Sequence, residues 1–194
     1  MIKKKIYYWS PHLTEIATIK AVINSAYSIK RFFKEYDPTI LDAAGEFEKK
    51  KKEIDDKKIG LINLYKFRYI SFLPIYGKIY SRFSYLVIFL LSFFSLKNLL
   101  KKDKPDFLII HLITSLPLLL FSLFNFKTKC ILRISGYPEM NKFRIFFWKI
   151  LLKKVFAITC PTKTTYEYIK SLKICEENKL RILFDPIIIV NEIE

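Results

Sequence analysis

Two histidines are the residues best suited to chemistry in this sequence, because each follows a predicted buried strand. His12 comes shortly after the apolar run Ile6–Trp9, and His111 follows directly on Phe107–Ile110. Side chains at the carboxyl ends of strands face the crevice where open α/β sheets bind ligands. An imidazole there can donate a hydrogen bond to a phosphate or hydroxyl oxygen. For each histidine the alternative is a surface loop position without a role.

Arg133 and Glu46 are two charged side chains in positions that need an explanation. Arg133 lies within the apolar run Ile131–Ile134, and a buried charge needs a partner. It therefore either pairs with a carboxylate or holds a ligand phosphate in the crevice. Glu46 follows Gly45 after another predicted strand, where it either binds sugar hydroxyls or begins the charged loop that follows.

The sequence contains none of the common catalytic motifs. GxSxG, HExxH, Walker A and GxGxxG patterns are absent. Cys130, Cys160 and Cys175 show no spacing typical of a metal site, and reduced thiols are the simplest interpretation. We therefore predict no metal and no cofactor.

The charge of the chain indicates an anionic partner. Lys and Arg total 34 against 18 Asp and Glu, a formal net charge of +16. Five cations surround a predicted amphipathic helix: Lys142, Arg144, Lys149, Lys153 and Lys154. Ordinary solvation is one interpretation of these cations, and attachment to an anionic membrane surface is the other.

Strand and helix patterns alternate along the chain. The predicted strands are 6–9, 39–43, 60–65, 107–110, 131–134, 155–159 and 180–184, and Thr14 is the predicted N-cap of the first helix. Run-like apolar strands separated by helices predict a Rossmann-like α/β domain, with a parallel sheet and helices on both faces.

The segment 130–154 is the clearest strand–turn–helix unit. A break at 135–138 contains Gly136, which permits left-handed backbone angles, and Pro138, which disfavours helix at Tyr137. In the helix that follows, one face carries Phe143, Phe146, Phe147, Ile150 and Leu151.

Two other classes of protein compete with this interpretation. In a small basic membrane protein with one or two spanning helices, 107–126 would be a span, since it lacks formal charge over the required length. The uncharged core of the helix predicted at 78–102 is shorter than a span, which favours a buried or surface-lying helix. The second alternative is a nucleic-acid-binding module, but no RNP, KH or zinc-finger pattern is present, and we expect no nucleic-acid partner.

Short motifs along nearly the whole chain resemble the N-terminal half of GT-B glycosyltransferases. They are YWSP (8–11), KAVINSAYSIK (20–30), AAGEF (43–47), KPDFLIIH (104–111), RISGYP (133–138), CPT (160–162) and LFDPII (183–188). The series is most similar to the retaining family-four group that assembles bacterial surface polysaccharides, lipopolysaccharide among them. Departures from that pattern are Ser10-Pro11-His12 in place of a Gly-rich turn, Ser135 in place of His, and Asp185 in place of Asn.

This resemblance implies roles for specific residues. His111 lies where relatives place a crevice histidine near the transferred sugar, which makes it the predicted catalytic residue. The predicted acceptor-binding residues are His12, Glu46 and Arg133, and the predicted contacts to the donor diphosphate are Ser10, Ser135 and Gly136.

The resemblance also implies a role for the whole chain. Residues 1–186 would form the acceptor-side domain, and 187–194 would begin an interdomain linker. The nucleotide-sugar would bind mainly to a second domain that this chain lacks, so the chain alone is predicted to be inactive. The complete enzyme would transfer a sugar to a lipid-linked or saccharide acceptor, as a cytoplasmic protein held peripherally on the inner face of the cell membrane.

Overall fold

The computed structural model describes residues 3–75 and 77–186 of the chain. At its centre is a seven-stranded sheet, in the order β3-β2-β1-β4-β5-β6-β7, in which all neighbouring strands are parallel. The strands are β1 (Lys4–Trp9), β2 (Tyr36–Asp42), β3 (Gly60–Asn63), β4 (Phe107–Ile110), β5 (Lys129–Arg133), β6 (Ala157–Cys160) and β7 (Leu180–Ile182). The linker predicted at 187–194 lies outside the described residues.

Helices cover both faces of the sheet, as predicted. They are α1 (Ala17–Phe32), α2 (Lys51–Asp56), α3 (Lys78–Asp103), α4 (Ser115–Leu123), α5 (Lys142–Leu151) and α6 (Lys163–Ser171). Successive residues of β1 point to opposite faces, so Tyr8 packs against α1 and α2 whereas Trp9 packs against the layer of α3, α4 and α6. Both side chains are fully buried, which explains why the strands read as continuous apolar runs.

Two local predictions about helix and strand ends were wrong. Helix α1 begins at Ala17 after Ile16, which gives no side-chain cap, so Thr14 is not the N-cap. Strand β2 starts at Tyr36 and includes Pro38. The proline is tolerated because β3 pairs with β2 only from Thr39 onward, so Pro38 lies beyond that ladder.

The turn after β5 does not use a left-handed glycine. Among the described residues the glycines with positive φ are Gly45 and Gly77, at +95° and +93°. Gly136 is not one of them, so the freedom that its sequence offers is not used in this conformation. Gly45 is required at its position for two reasons. Its φ of +95° is rarely adopted by other residues, and an added Cβ would lie 2.9 Å from the Arg68 side chain.

The segment 107–126 is not a membrane-spanning helix. It forms β4, a loop and then α4, whose Leu116, Leu118 and Leu120 are buried against the sheet. One helix among the described residues, Ile79–Asp103 within α3, is long and apolar enough to cross a membrane by length and composition alone. It packs on the sheet through Ile88, Leu96 and Leu100.

Candidate functional site

The order of the strands places a ligand crevice at the carboxyl ends of β1 and β4. The chain adds β2 and β3 on one side of β1 and then crosses to β4 on the other side, so the strand order reverses between β1 and β4. Open α/β sheets bind their ligands at this kind of switch point. His12 and His111 follow these two strands, and the backbone N–H of His111 donates to the Trp9 carbonyl at 2.9 Å.

Two cavities open at this edge of the sheet. The β1 cavity has a volume of about 400 Å³ and is lined by His12, Thr14, Ile16, Tyr85, Ile113 and Ser115, among others. The β5 cavity has a volume of about 360 Å³, and its lining includes His111, Arg133, Ser135, Gly136, Tyr137 and Trp148. The structure thus brings His111, Arg133, Ser135 and Gly136 to one cavity and places His12 in the other.

His111 is a buried imidazole whose ring lies 6.3 Å from the Tyr8 ring, centroid to centroid, and whose nitrogens have no hydrogen-bond partner among the described residues. Its exposed fraction is 4%. Burial, with a smaller contribution from the positive charge of Arg133, lowers the pKa of His111 to about 3. The ring is therefore neutral at physiological pH, and a neutral imidazole has one donor and one acceptor to offer a ligand in the β5 cavity.

Arg133 is neutralised by its own chain. Its Nε and Nη2 donate to Asp185 Oδ1 at 2.9 and 2.6 Å, and Nη2 also donates to the Phe184 carbonyl at 2.9 Å. The side chain is 5% exposed, so the carboxylate provides the partner that a buried guanidinium needs. The ion pair, one of the two roles considered from the sequence, is present, and phosphate binding stays a prediction.

The segment around Asp185 is held across the top of the sheet. Leu183 N–H continues the pairing with β6 by donating to the Cys160 carbonyl, and the next residues turn toward Arg133. Asn24 Nδ2, on α1, donates to the Pro186 carbonyl at 2.9 Å. Buried side chains of β5 and α1 therefore fix the path of the chain up to residue 186.

The three predicted diphosphate contacts differ in their access to the cavities. Ser135 Oγ has no hydrogen-bond partner among the described residues and belongs to the β5 cavity. A Cβ added to Gly136 would meet no atom within 4 Å, so the backbone there is open to a ligand. Ser10 is fully buried, and its carbonyl accepts a hydrogen bond from His12 Nδ1 at 3.1 Å.

His12 has a fixed orientation at the wall of the β1 cavity. Its ring packs edge-on against Phe47, with centroids 4.9 Å apart, in addition to its bond to Ser10. Burial is the main cause that lowers the pKa of His12, so the neutral form is favoured.

Glu46 folds back onto the loop that follows β2. Its Oε1 and Oε2 accept from Ala43 N–H at 3.0 Å and Ala44 N–H at 2.6 Å. Asp42 Oδ1 accepts from the N–H groups of Gly45 and Glu46 in turn. Burial, and then the hydrogen bond and charge of Asp42, raise the pKa of Glu46 well above its usual value. Both oxygens thus stabilise the loop, and sugar binding by Glu46 stays a prediction.

The apolar face of α5 lies in solvent. Phe143, Phe146, Phe147 and Ile150 are between 42% and 72% exposed, whereas Ile145 and Trp148 pack against the core. Two of the five predicted membrane-binding cations already have partners: Arg144 Nη1 donates to the Glu139 carbonyl, and Lys154 Nζ donates to the Ser122 carbonyl and Asn125 Oδ1. Lys142, Lys149 and Lys153 are exposed.

A second exposed apolar surface lies on α3, for which the sequence left open a buried or a surface-lying helix. Its residues, called here the α3 stripe, are Ile79, Phe83, Leu86, Leu90 and Phe94, all between 52% and 80% exposed. The opposite side of α3 is buried at Ser84, Ile88, Ser92, Leu96 and Leu100. Because α3 is apolar on most sides, its pattern did not distinguish the inner face from the outer one. The two buried serines at helical spacing were the available signal.

Metal binding finds no support among the described residues. They contain no group of three His, Cys, Asp or Glu side chains that could hold a metal ion. Cys130 and Cys160 are buried free thiols, and burial raises the pKa of both.

Comparison with known proteins finds similarity at the level of structure. No family model and no curated protein matches the sequence. Among solved structures, a glycosyltransferase from Rickettsia africae matches with a TM-score of 0.65 and 15% identity over 94% of this chain and 43% of its own. A UDP-GlcNAc 2-epimerase from Neisseria meningitidis bound to UDP-GlcNAc matches with a TM-score of 0.57 and 14% identity, over 95% of this chain and 47% of its own. The calicheamicin glycosyltransferase matches with a TM-score of 0.54 and 9% identity, over 95% of this chain and 52% of its own.

These relationships define the fold of the chain. At sequence identities of 9–15%, structural similarity shows that two proteins share a fold, but it does not show that they share an activity. The chain spans about half of the length of the proteins it matches. The sheet order, the helices on both faces and these matches together show that the chain has the Rossmann-like fold of one half of a GT-B glycosyltransferase-like protein.

Proposed function

We propose that this chain is the acceptor-side half of a retaining, family-four-like glycosyltransferase. The complete enzyme transfers a sugar from a nucleotide-sugar to a lipid-linked or saccharide acceptor during synthesis of a cell-surface polysaccharide. The second half of the GT-B fold supplies most of the donor site. Support for a nucleotide-sugar comes from the matched epimerase that binds UDP-GlcNAc.

The observation that carries this proposal is the unpartnered imidazole of His111. A buried polar group without a hydrogen bond costs free energy, so a position of this kind is typical of a site where a ligand completes the bonding. In the β5 cavity the ring lies with Ser135 and Gly136 at the carboxyl edge of the sheet. We assign His111 to the reacting sugar, and Ser135 and Gly136 to the donor diphosphate.

One observation favours transfer over epimerisation, the activity of the other matched class. Transfer needs places for a donor and an acceptor, and the chain has two neighbouring cavities. Products separate the two reactions, since transfer releases a nucleoside diphosphate and epimerisation does not.

A membrane location is part of the proposal. The exposed aromatic face of α5 carries Lys142, Lys149 and Lys153 beside it, a combination typical of helices that lie in a membrane interface. We place the protein peripherally on the inner face of the cell membrane, with anionic lipid as the partner and no role for nucleic acid.

The test replaces His111 by Ala in the gene of the producing cell. A hydrogen bond to charge that develops in the transition state contributes roughly 2.7–4 kcal/mol, so transfer from labelled nucleotide-sugars by membrane extracts should fall about 100- to 1000-fold. The surface polysaccharide should lose the corresponding sugar. Unchanged transfer and unchanged sugar composition would refute the role of His111.

Cys130→Ala is the matched control for lost packing. Cys130 is as buried as His111 and lies on the neighbouring strand, but it lines neither cavity. Its replacement should lower the melting temperature and leave transfer per folded molecule unchanged. If both variants lose activity only in proportion to folded protein, His111 is a packing residue and the proposal fails.

A further inference from the structure

We propose that the β5 cavity holds the transferred sugar as a neutral pyranose, with the less polar face of its ring against Tyr137. This inference rests on the proposed transferase function and names the class of sugar that the enzyme transfers. It also adds Tyr137 to the residues assigned to the site.

Tyr137 presents an aromatic ring of fixed orientation at the β5 cavity, which it lines. Tyr168 of α6 packs against the core, and its ring lies 4.4 Å from the Tyr137 ring, centroid to centroid, at an angle of 23°. Tyr137 is nevertheless 60% exposed, so Tyr168 covers one face of the ring and leaves the other open. The face of an aromatic ring is negative and attracts the weakly positive C–H groups on the less polar face of a pyranose.

The other walls of the cavity offer single hydrogen-bonding groups of the kind that sugar hydroxyls use. Both ring nitrogens of His111 and the Oγ of Ser135 lack partners among the described residues, and two more residues with hydroxyl side chains, Thr18 and Thr114, line the cavity. A hydroxyl and a neutral imidazole both donate and accept, as a sugar hydroxyl does. The volume of about 360 Å³ is at the small end of the range for ligand pockets, which suits one sugar ring.

The charges around the cavity select a neutral sugar over a uronic acid. Arg133 is the one charged side chain among the described residues that line it, and Asp185 pairs with that guanidinium at 2.6 Å. His111 is uncharged at physiological pH, because burial lowers its pKa. A sugar carboxylate would therefore leave water without gaining a free counter-charge, which is costly, whereas neutral hydroxyls find hydrogen-bonding partners in the cavity.

The first measurement is saturation-transfer NMR on the purified chain with the methyl glycosides of glucose, galactose and N-acetylglucosamine. Saturation should reach the C–H protons of at least one of them, and Tyr137→Ala should weaken its binding about two- to tenfold, as for other contacts to an aromatic face. Tyr137→Phe keeps the ring and should bind as the wild type does. Tyr80→Ala is the matched control, because Tyr80 is 63% exposed and lines neither cavity. Equal binding by Tyr137→Ala and wild type, or saturation of none of the glycosides, would refute the proposal.

Two further ligands test the class of the sugar. Methyl glucuronide differs from methyl glucoside only at C6, where a carboxylate replaces a hydroxymethyl group, and it should bind about tenfold more weakly or worse. The net charge of +16 would by itself favour the glucuronide, so a preference for the neutral ligand must come from the site. Equal or tighter binding of glucuronide would overturn the neutral class. If Tyr137→Ala weakens binding of uridine and not of the glycosides, the ring stacks on a nucleobase and the inference fails.

Tryptophan fluorescence locates the bound sugar. The chain has two tryptophans, of which Trp9 is fully buried and Trp148 lines the β5 cavity. The glycoside that binds should change the emission of the wild type, and Trp148→Phe should abolish that change while saturation transfer persists. Saturation transfer without any change in emission would place the sugar outside the cavity and overturn the assignment.

Labelled nucleotide-sugars in membrane extracts of the producing cell separate failure of this inference from failure of the proposed function. The activity compared is the part that disappears when the gene is deleted. Transfer from uronic-acid donors alone keeps the transferase and refutes the neutral sugar. Glycoside binding at Tyr137 without transfer from any donor refutes the transferase and leaves a sugar-binding site.

Discussion

At the scale of single residues, the buried polar side chains near the crevice differ in whether the fold already satisfies them. Arg133 donates through Nε and Nη2 to Asp185 and the Phe184 carbonyl, and both carboxyl oxygens of Glu46 accept from backbone N–H groups. The side-chain hydrogen-bonding atoms of His111 and Ser135 have no partner among the described residues. The first pair therefore stabilises the fold, and the second pair is available to a ligand.

The carboxyl pair of Asp42 and Glu46 should make stability depend on pH. The side-chain pKa of Glu in an unfolded chain is about 4.3, and the pKa of Glu46 in the folded protein lies well above that value. The native state therefore holds an extra proton between the two values, and stability should fall as pH rises through this window. Below the unfolded pKa the contribution is fully present, and above the folded pKa it is lost.

Glu46→Gln tests this pH dependence. Gln cannot ionise, so urea unfolding at a series of pH values should give a flatter profile above about pH 5. The variant should also lose about 1 kcal/mol, because its amide nitrogen cannot accept one of the two backbone N–H bonds that Glu46 receives. Glu48→Gln, at a more exposed carboxylate nearby, serves as the control. A parallel decline with pH in Glu46→Gln and wild type would contradict the proton-sharing pair.

The Arg133–Asp185 ion pair should respond unequally to removal of its two partners. Arg133 is 5% exposed and Asp185 is 21% exposed, so water can rehydrate the carboxylate more easily than the guanidinium. Asp185→Ala should cost about 3 kcal/mol or more by leaving a buried charge unpaired. Arg133→Met should cost less, and the double variant should be less destabilised than the sum of the two. Additive losses in chemical denaturation would show that the two residues do not interact.

At the scale of elements, the sequence predicted the seven strands because their apolar runs are long and are interrupted by turns. It failed where a pattern had two physical outcomes. The sequence predicted an apolar face on α5, separate from the face that carries the cations. Periodicity does not show which face contacts solvent, and Phe143 and Phe146 of the apolar face are exposed. Gly136 permits a left-handed turn that the loop does not use. The role of Arg133 depended on a partner 52 residues away, Asp185, which spacing alone could not identify. The role of Glu46 depended on how the loop from Asp42 folds back on itself, which its sequence did not specify.

Helix α5 and the turn that follows it should contribute to membrane binding through cations for which the described part of the chain provides no partner. Each cation near an anionic surface contributes about 1 kcal/mol, close to a fivefold change in affinity, before screening by salt. Lys149→Glu and Lys153→Glu should each weaken binding to phosphatidylglycerol vesicles by that factor or more, and the difference should shrink at high salt. Lys154→Ala is the internal control, because its Nζ binds the end of α4 at Ser122 and should affect stability instead. Equal losses for all three lysines would argue against this division of roles.

At the scale of the whole molecule, the chain has the carboxyl edge of the sheet with its two cavities and, on α3 and α5, exposed apolar side chains. Helix α4 lies between α3 and α5, and the loops that precede it reach the β1 cavity. Tyr85 of α3 and Ser115 of α4 line the β1 cavity, so both helices contribute to the crevice.

The 194-residue chain alone should bind nucleotide-sugars weakly and transfer no sugar. The diphosphate of a nucleotide-sugar is strongly anionic, and binding it requires cations or several aligned N–H donors. Arg133 is the cation among the described residues that line the two cavities, and Asp185 already neutralises it. Without further positive charge from the other half of the fold, we expect dissociation constants of about 1 mM or weaker, a binding free energy of only about 4 kcal/mol.

Isothermal titration of the purified chain with UDP-, GDP- and dTDP-sugars, together with an assay for released nucleoside diphosphate, measures both parts of this prediction. Asp185→Asn should strengthen nucleotide-sugar binding, because it leaves the guanidinium of Arg133 with an uncompensated charge that a phosphate can neutralise. Ser171→Ala, on the far side of the domain in α6, should leave binding unchanged. Turnover by the wild-type chain would mean that the donor binds entirely within the cavities at the ends of β1 and β5. It would also mean that a neutral His111 with the open backbone at Gly136 suffices to hold a diphosphate without a free cation.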